Sequence, residues 1–537
     1  MRKFVVALAT TVAVLMTSTP SQGQTAPPVE VEQPGLDPSP GGNPDSPLVI
    51  LPGVISALEA LQARVARSDG TGRDSLGKAL ADTRQAVEEY TGGSTDIRAV
   101  IGALAKAANN VDKVRSAGDG DRRQLAAAGD ALAGVARSLA VKIVERAGAA
   151  GVDTGQLGAA RAAVARGDAR RVAGDFGAAA QAYGEGASKG ASGLHFDLDT
   201  FEREILKMAT GVTGFAYTIN VNGKLARADA RGQARTAADD PARPHSPDTE
   251  QFLASVSKTI TGVAMLRALQ DAGISVDSSV NPYLPGTWTR GQNAPALTFR
   301  NFLTHTSGFS GNGGSTYELL RARIGQPFVA NAGYTYSNAN FALMRILIPR
   351  VSGGKLPFED FTADDVLAQA HAEKFEAYVR TKILQPAGID GRCGPTDGTD
   401  TETRYYNFPA DNQPGYDEPD RFLSCGGFAW YLSSNELGAF MAHLRYTATL
   451  LSPAMRKVMD TGFLGWLDPT FFLWSEGVFG TYHNHGGDWD HDPGEAHTCI
   501  MKFHITVEAS VVMNSGRGFT GHQCQRLRNA FDAAWIA

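Results

Sequence analysis

Residues 251–258 read Gln-Phe-Leu-Ala-Ser-Val-Ser-Lys, and they decide how the rest of the chain is interpreted. They contain an S-x-x-K pattern, Ser255 and Lys258, at the start of a helix predicted from about Ser255 to Gln270 and ended by Gly273. This spacing places both side chains on one face of a helix. A serine hydroxyl is a weak nucleophile without a base, and Lys258 can be that base where burial lowers its pKa. The stretch therefore predicts a nucleophile beside its base.

Tyr336-Ser337-Asn338 is a second candidate element, and it precedes an apolar helix start. A tyrosine hydroxyl beside a lysine amine can shuttle a proton between a nucleophile and a leaving group. The amide of Asn338 can orient either partner. A helix-capping turn whose tyrosine is simply packed remains the alternative for this motif.

His485-Gly486-Gly487 is a third candidate element, expected at the end of a strand that runs from Val478 to Asn484. Glycines on a sheet edge let a substrate backbone approach closely. Backbone N–H groups there can supply half of an oxyanion hole, with the N–H of Ser255 as the other half.

Together these three elements resemble the motifs of the penicillin-binding serine hydrolases, which include class C β-lactamases, D-alanyl-D-alanine peptidases and β-lactamase-like esterases. Two further stretches are similar to that family, Leu-Thr-His-Thr-Ser-Gly-Phe at 303–309 and Cys-Gly-Gly-Phe-Ala-Trp at 425–430. The resemblance covers about residues 200–537. It implies an α+β fold of the β-lactamase/transpeptidase type, with an antiparallel sheet flanked by helices and a mainly helical lobe.

The resemblance also implies roles for the candidate residues. Position 485 holds His where class C lactamases carry Lys, and a carboxylate at Asp488 would repel anionic substrates such as penicillins. The histidine favours an esterase or a D-peptidase over a β-lactamase. The carboxylate would also repel peptides that end in D-Ala, and it favours neutral esters or amides. The implied set is Ser255, Lys258 and Tyr336 as catalytic groups, Asn338, His485, Gly486 and Gly487 as substrate-binding groups, and the N–H groups of Ser255 and Asp488 as the oxyanion hole.

Changes in composition predict how the chain is divided. The N-terminal residues form a positively charged start followed by a short apolar stretch, which is typical of a signal peptide, with a retained N-terminal anchor as the alternative. A proline-rich linker follows, and then an Ala-rich, aromatic-poor region with about four or five antiparallel helices. We interpret this region as a spacer, with a binding module as the alternative. The predicted boundaries are 1–23 for the signal peptide, 24–47 for the linker, 48–190 for the helical bundle and 196–537 for the hydrolase domain.

Strand patterns at both ends of the last segment predict an α+β domain whose sheet is completed by distant parts of the chain. Gly214–Leu225 contains an Asn-Gly turn typical of a hairpin, and the polar stretch Arg227–Asp248 is expected to be a loop. His504–Asn514 is expected to be a strand, and Gln525–Ile536 a closing helix.

Charge and cysteine content limit the partners and the compartment. The net charge of −6 argues against nucleic acid. No later apolar run is long enough to predict a stable membrane span after signal cleavage. The four cysteines form no C-x-x-C pair, which favours disulfides in a secreted or periplasmic protein. We expect the pairs Cys393–Cys425 and Cys499–Cys524.

We therefore expect a hydrolase that acts on a small ester, amide or peptide without a metal or a cofactor. His and Asp residues are dense at 483–497, but their spacing fits neither a metallo-β-lactamase nor a calcium loop, and a structural cation stays a minor alternative. A second hypothesis is a non-hydrolytic protein that binds cell-envelope components through its helical region.

Overall fold

The structure is a computed structural model, and all of the residues that it describes lie in one compact unit. The expected signal peptide and residues 24–42 of the expected linker lie outside the described residues. The described ranges are 43–65, 70–92, 96–114, 119–239, 241–309, 316–329, 332–356, 359, 362–394, 402–408, 413–490, 494–516 and 522–537.

The first part of the described chain, up to Ala191, contains only helices. The apolar positions predicted to share a face are buried, among them Leu58, Leu104 and Leu139. The expected count was wrong because Gly174 adopts a positive φ of 76° and ends a helix, after which Asp175 caps the next one. The six helices within the described residues are α1 Pro47–Val65, α2 Gly70–Thr91, α3 Ile97–Asp112, α4 Asp119–Ala149, α5 Thr154–Val172 and α6 Phe176–Ala191.

The rest of the chain mixes helices and strands. The helices are α7 Leu198–Leu206, α8 Ser257–Ala272, α9 Phe299–Leu303, α10 Tyr317–Ile324, α11 Asn338–Ala342, α12 Met344–Gly353, α13 Asp364–Val379, α14 Ser434–Tyr446, α15 Pro453–Thr461 and α16 Gln523–Ala533. The strands are β1 His195–Phe196, β2 Gly214–Val221, β3 Lys224–Arg235, β4 Arg243–Pro244, β5 Gln251–Phe252, β6 Arg392–Cys393, β7 Trp430–Leu432, β8 Glu476–Gly477, β9 Gly480–Thr481, β10 His483–Asp490, β11 Glu495–Lys502, β12 Val507–Met513 and β13 Trp535–Ile536.

The main sheet is antiparallel with the strand order β10-β11-β12-β2-β3-β4. Asn222 and Gly223 link β2 to β3 with φ values of 53° and 71°, which is the left-handed geometry of a type I′ hairpin turn. The predicted hairpin is therefore present. The expected loop at Arg227–Asp248 is wrong in its first part, because β3 continues to Arg235 through pairing with β2. Cross-strand pairing outweighs the low strand propensity of this Ala- and Arg-rich stretch.

The sheet lies between two layers of helices. Alternate residues of β2 face opposite sides, so that Phe215, Tyr217 and Ile219 pack into the core that contains α7 and α16. On the other side, Thr218 hydrogen-bonds to Ser434 and Asn435 at the start of α14. The helical lobe, which includes α8, α12 and α13, packs beyond that face around a large apolar core. This arrangement places the start of α8 against the outer strand β10.

The helical region and the hydrolase region share buried contacts. Phe479 packs into the core of the helical region. The carboxylate of Glu476 accepts hydrogen bonds from Asn43 Nδ2 at 2.9 Å and from Ser46 Oγ. Arg146 Nε donates to the backbone oxygen of Trp535 at 2.9 Å. The end of the expected linker is therefore packed onto the hydrolase region.

Helix α1 is, within the described residues, long and apolar enough to cross a bilayer by length and composition. Core helices of soluble proteins pass the same test. The side chains of Leu51, Leu58 and Leu61 are fully buried in the core of the helical region.

Candidate active site

Ser255 lies in a one-turn 3-10 helix, Ala254–Val256, directly before α8. The prediction placed it in the first turn of the α-helix, which begins two residues later, at Ser257. Ala254 has a φ of 46°, an uncommon conformation for a residue with a side chain. Leu253 N donates to Trp430 O at 2.9 Å, which ties the start of this turn to the start of β7. This hydrogen bond fixes the N-terminal side of the turn, and α8 follows on the other side.

Lys258 contacts the serine directly. Its Nζ lies 2.9 Å from Ser255 Oγ and donates to Gly427 O at 3.0 Å. The side chain is fully buried, and burial lowers the pKa of the amine well below its ordinary value. A neutral amine has a lone pair, so this nitrogen can accept the proton of the Ser255 hydroxyl while it keeps its bond to Gly427.

Tyr336 is the third residue of this cluster, next to Ser255 and Lys258. Its ring centroid lies 5.1 Å from Lys258 Nζ, and the ring stacks on His305 at 4.3 Å. Burial raises the pKa of Tyr336 above its ordinary value, although the adjacent Ser255 side chain lowers it in part. The buried hydroxyl has no well-formed hydrogen bond within the described part of the chain. It is therefore a protonated group available to a substrate.

Asn338 begins α11 and is 8% exposed. Its backbone oxygen lies close to Gly427, the residue whose carbonyl holds Lys258. The side-chain oxygen Oδ1 is buried and has no hydrogen-bond partner among the described residues. A buried acceptor without a partner costs about 1–3 kcal/mol, and a substrate N–H would remove that cost.

His485, Gly486 and Gly487 lie in the middle of β10 rather than after the end of a strand, so the expected strand boundaries were wrong. The extra strand length comes from pairing with β11, a partner that the local pattern does not reveal. A Cβ on Gly487 would lie 3.0 Å from Ser255 N and 2.2 Å from Leu253 O. Glycine is therefore required for this strand to approach the nucleophile.

His485 is buried beside this contact, and its Nδ1 lies 2.7 Å from Gly486 O. Burial and the nearby Lys258 lower the pKa of His485 to about 3. The imidazole is therefore uncharged at neutral pH. In the described site, position 485 therefore carries no positive charge. A lysine, which class C lactamases have at this position, would bring one.

Asp488 follows, with its side chain on the opposite face of β10 from His485. Its carboxylate bonds to His497 Nδ1 at 2.8 Å and to His522 Nε2 at 2.9 Å. Burial alone would raise the pKa of Asp488, but the two histidines hold it well below its usual range. The carboxylate is compensated by these contacts, so the expected repulsion of anionic substrates loses its main support.

The acidic and histidine-rich stretch places Asp490, Glu495 and His497 with potential ligand atoms within 4.8 Å of one another. Burial alone would lower the pKa of His497, but its hydrogen bonds to Asp488 and Glu495 raise it to about 10. A protonated imidazole has no lone pair for a metal ion. His491 and Asp492, which belong to the same stretch, lie outside the described residues.

Both expected disulfides are present, with Cα–Cα distances of 5.8 Å for Cys393–Cys425 and 5.5 Å for Cys499–Cys524. The first anchors the segment that leads to Gly427. The second joins β11 to α16. Each therefore supports an element of the site.

His305 is a residue of the site that the sequence reasoning quoted without assigning a role. Its Nδ1 accepts a hydrogen bond from Ser337 N at 3.1 Å and lies 3.0 Å from Asn340 Nδ2. Through these contacts the His305 ring holds the backbone next to Tyr336, and the same ring stacks on the Tyr336 side chain. The His of the Thr-His-Thr-Ser-Gly stretch was the available signal, but local spacing does not connect it to Tyr336.

Aromatic rings beside Tyr336 were also missed. Tyr334 stacks on Phe471 at 4.3 Å, and Phe472 packs with Tyr336 in one small cluster. Trp474 stacks on His522 at 4.3 Å. Phe471 and Trp474 are partly exposed, so they give the site an apolar rim. The stretch that carries them, within Phe463–Phe479, had no readable pattern.

Comparison with known proteins identifies the family of the chain. A family model described as Beta-lactamase matches residues 198–492. The chain is similar to the putative penicillin-binding protein PbpX of Bacillus subtilis (strain 168), with 26% identity over 155 residues, which are 27% of this chain and 33% of that protein. It is also similar to penicillin-binding protein 4* of the same organism, with 25% identity over 154 residues, or 26% and 32% of the two chains. The chain thus spans about a third of the length of these curated relatives.

Solved structures with a similar course of the chain include the β-lactamase/D-alanine carboxypeptidase from Pseudomonas syringae, at 17% identity and a TM-score of 0.48, covering 62% of this chain and 97% of that one. EstCE1, a hydrolase with promiscuous acyltransferase activity, is similar at 16% identity and a TM-score of 0.47, covering 62% and 98%.

Proposed function

Because the chain belongs to the beta-lactamase family of serine hydrolases, whose model matches more than half of it, we propose that it cleaves an ester or amide bond through an acyl-enzyme on Ser255. One observation carries this proposal. The buried amine of Lys258, whose pKa is lowered by burial, lies 2.9 Å from Ser255 Oγ. The nucleophile and its base are therefore in contact before any substrate binds.

In the proposed acylation, Ser255 Oγ attacks the carbonyl carbon of the substrate and its proton passes to Lys258. The carbonyl oxygen becomes an oxyanion, which the N–H groups of Ser255 and Asp488 stabilise. The Tyr336 hydroxyl donates its proton to the leaving alcohol or amine and recovers one from Lys258. Water then attacks the acyl carbon, its proton returns through the same pair, and the acid is released with Ser255 restored.

We assign substrate binding to Asn338, His485 and the backbone of Gly486 and Gly487. The uncharged imidazole of His485 supports neutral esters and amides over substrates with a carboxylate near the reacting carbonyl. The aromatic rim formed by Phe471 and Trp474 supports an apolar group on the substrate. An esterase, or a D-peptidase that acts on an uncharged amide, therefore fits the site better than a β-lactamase.

We place this activity outside the cytoplasm, in the cell envelope or the medium. The support is the N-terminal pattern of residues 1–23, the two disulfides and the similarity to proteins named as penicillin-binding. The helical region at 47–191 precedes the hydrolase region, and binding of envelope components would be a role additional to catalysis.

Labelling of the full chain with a fluorophosphonate and with a fluorescent penicillin, followed by mass spectrometry, tests the proposal. We expect the fluorophosphonate on Ser255, and hydrolysis of p-nitrophenyl butyrate. Ser255→Ala should lose both. Ser257→Ala is the matched control, because Ser257 is also buried but its Oγ accepts from Trp430 N at 3.2 Å instead of facing Lys258. Robust turnover by folded Ser255→Ala would overturn the mechanism.

A further inference from the structure

The first turn of α16 contacts the strand that carries the proposed oxyanion donor, and it does so with three successive residues. His522 Nε2 lies 2.9 Å from the carboxylate of Asp488. Gln523 Nε2 donates to Gly487 O at 3.0 Å and to Thr498 O at 2.9 Å. Cys524 forms the disulfide with Cys499. The first two residues contact β10, and the third is bonded to its neighbour β11.

The pairing of β10 with β11 shows that the three contacts meet the sheet at the same level, at Gly486 and Gly487. Cys499 is the register partner of Gly486, and Thr498 is the partner of Gly487. A Cβ on Gly486 would lie 2.3 Å from the His522 ring, so the ring rests directly on the strand. The helix thus holds both strands at the level of the two glycines.

His522 is itself held in a single orientation. Its Nδ1 accepts a hydrogen bond from Cys524 N at 3.1 Å, as the N-cap of α16, and its ring stacks on Trp474. With Nδ1 as an acceptor, Nε2 carries the proton that is donated to Asp488. The other carboxylate oxygen bonds to His497 at 2.8 Å, so Asp488 is bound on both sides.

The two glycines explain why a clamp is needed. Glycine lets β10 approach Ser255 N, but it is also the residue with the greatest backbone freedom. Among the described strands β10 is the outer one of its sheet, and none of them pairs with its other edge. An error of about 1 Å in a reacting group can cost about 10²-fold in rate. Contacts from outside the sheet are the remaining means of fixing this segment.

We propose that His522, Gln523 and the side chain of Asp488 form a strand clamp that positions the Gly486–Asp488 backbone for oxyanion binding. These are positioning residues, since they act through β10 and do not touch the substrate. The inference rests on the proposed function for its catalytic consequence, whereas the clamp itself is a property of the fold.

His522→Asn is the main test, because Asn remains a good N-cap for α16 but is too short to reach Asp488. Asp488→Ala, which leaves no acceptor for His522 Nε2, and the double variant complete a cycle. We expect each single variant to lower kcat for p-nitrophenyl butyrate and the rate of fluorophosphonate labelling by about 10- to 100-fold, with KM changed less than about 3-fold. The double variant should lose no more than the worse single one, since both remove the same bond.

Ser452→Ala is the matched control, because Ser452 caps α15 through Met455 N and belongs to neither β10 nor α16. It should lower Tm and leave the labelling rate unchanged. Hydrogen exchange of the peptide that contains Gly486–Asp488 supplies a readout independent of activity, and it should be faster in His522→Asn. An unlabelled wild-type Ser255 would overturn the proposed function. Unchanged exchange in His522→Asn, or additive losses in the cycle, would overturn the clamp.

Discussion

Replacing Lys258 with methionine tests whether the amine is uncharged in the folded protein. The side chain is fully buried, and burial holds the pKa of the amine well below its ordinary value. In the unfolded chain a lysine titrates at about 10.4. Between the two pKa values the unfolded chain binds a proton that the folded chain lacks. Methionine has a similar length and removes the titrating group.

The sign of the effect follows from proton binding. The unfolded chain keeps this proton throughout the window, and keeping it becomes less favourable as the pH rises. The unfolding free energy of the wild type therefore rises across this window by about 1.4 kcal/mol per pH unit from this one group. The destabilising contribution of Lys258 is complete below its folded pKa and disappears as the pH reaches the unfolded pKa. The Lys258→Met variant lacks this destabilising contribution. The difference between its unfolding free energy and that of the wild type therefore shrinks with rising pH at the same rate.

Loss of the hydrogen bond to Gly427 O offsets part of that advantage by about 1–3 kcal/mol at every pH. The slope is therefore a sharper measure than the absolute difference. Urea unfolding at pH 7, 8 and 9, followed by tryptophan fluorescence with the disulfides intact, gives that slope.

Lys382→Met, at an exposed position, is the matched control for the loss of a lysine charge. Lys258→Met should also fail to react with the fluorophosphonate. A difference in unfolding free energy that does not change with pH would refute the reasoning. It would mean that Lys258 has the same charge in both states and therefore no lone pair for the Ser255 proton.

Four further outcomes are expected. Tyr336→Phe should lower kcat by about 10²–10⁴-fold with a smaller change in KM, because only proton transfer is lost. A raised KM with an unchanged kcat would contradict this. Gly487→Ala should lower kcat by at least about 10²-fold, since its Cβ would meet Leu253 O, whereas Gly353→Ala, with open space around it, should leave kcat unchanged. EDTA should not change the rate; a loss restored by a divalent metal would favour the site at Asp490, Glu495 and His497. A chain that starts at Ala191 should melt at a lower temperature, because it exposes Phe479 and removes the partners of Glu476; an equal Tm would show that these contacts add no stability.

The sequence predicted those features that local chemistry determines. The Asn222-Gly223 turn requires left-handed backbone at both residues, and these two residue types supply it. Helical spacing brought Ser255 and Lys258 together, although the serine lies in a short turn before the α-helix. The β-lactamase fold was correctly inferred because its motifs are distributed along the whole of the matched segment.

Features that depend on distant partners were beyond the sequence. The length of β10 is set by β11, and the environment of Asp488 is set by His522, which no spacing rule connects to it. The expected repulsion of anionic substrates lost its main support, because a carboxylate treated as free is bound by two imidazoles. The break at Gly174 was missed because the flanking Ala-rich sequence continues the helical pattern on both sides.

The position of β2 at the centre of the sheet has a consequence for the order in which this chain can fold as it is synthesised. Its hairpin partner β3 follows immediately, but its other neighbour, β12, comes near the C-terminus. The helices that precede β2 have their partners close in sequence and can assemble early. The sheet must wait until almost the entire chain has emerged. A nascent chain that stops before Val507 therefore exposes one whole edge of β2, the situation in which chaperone cover matters most.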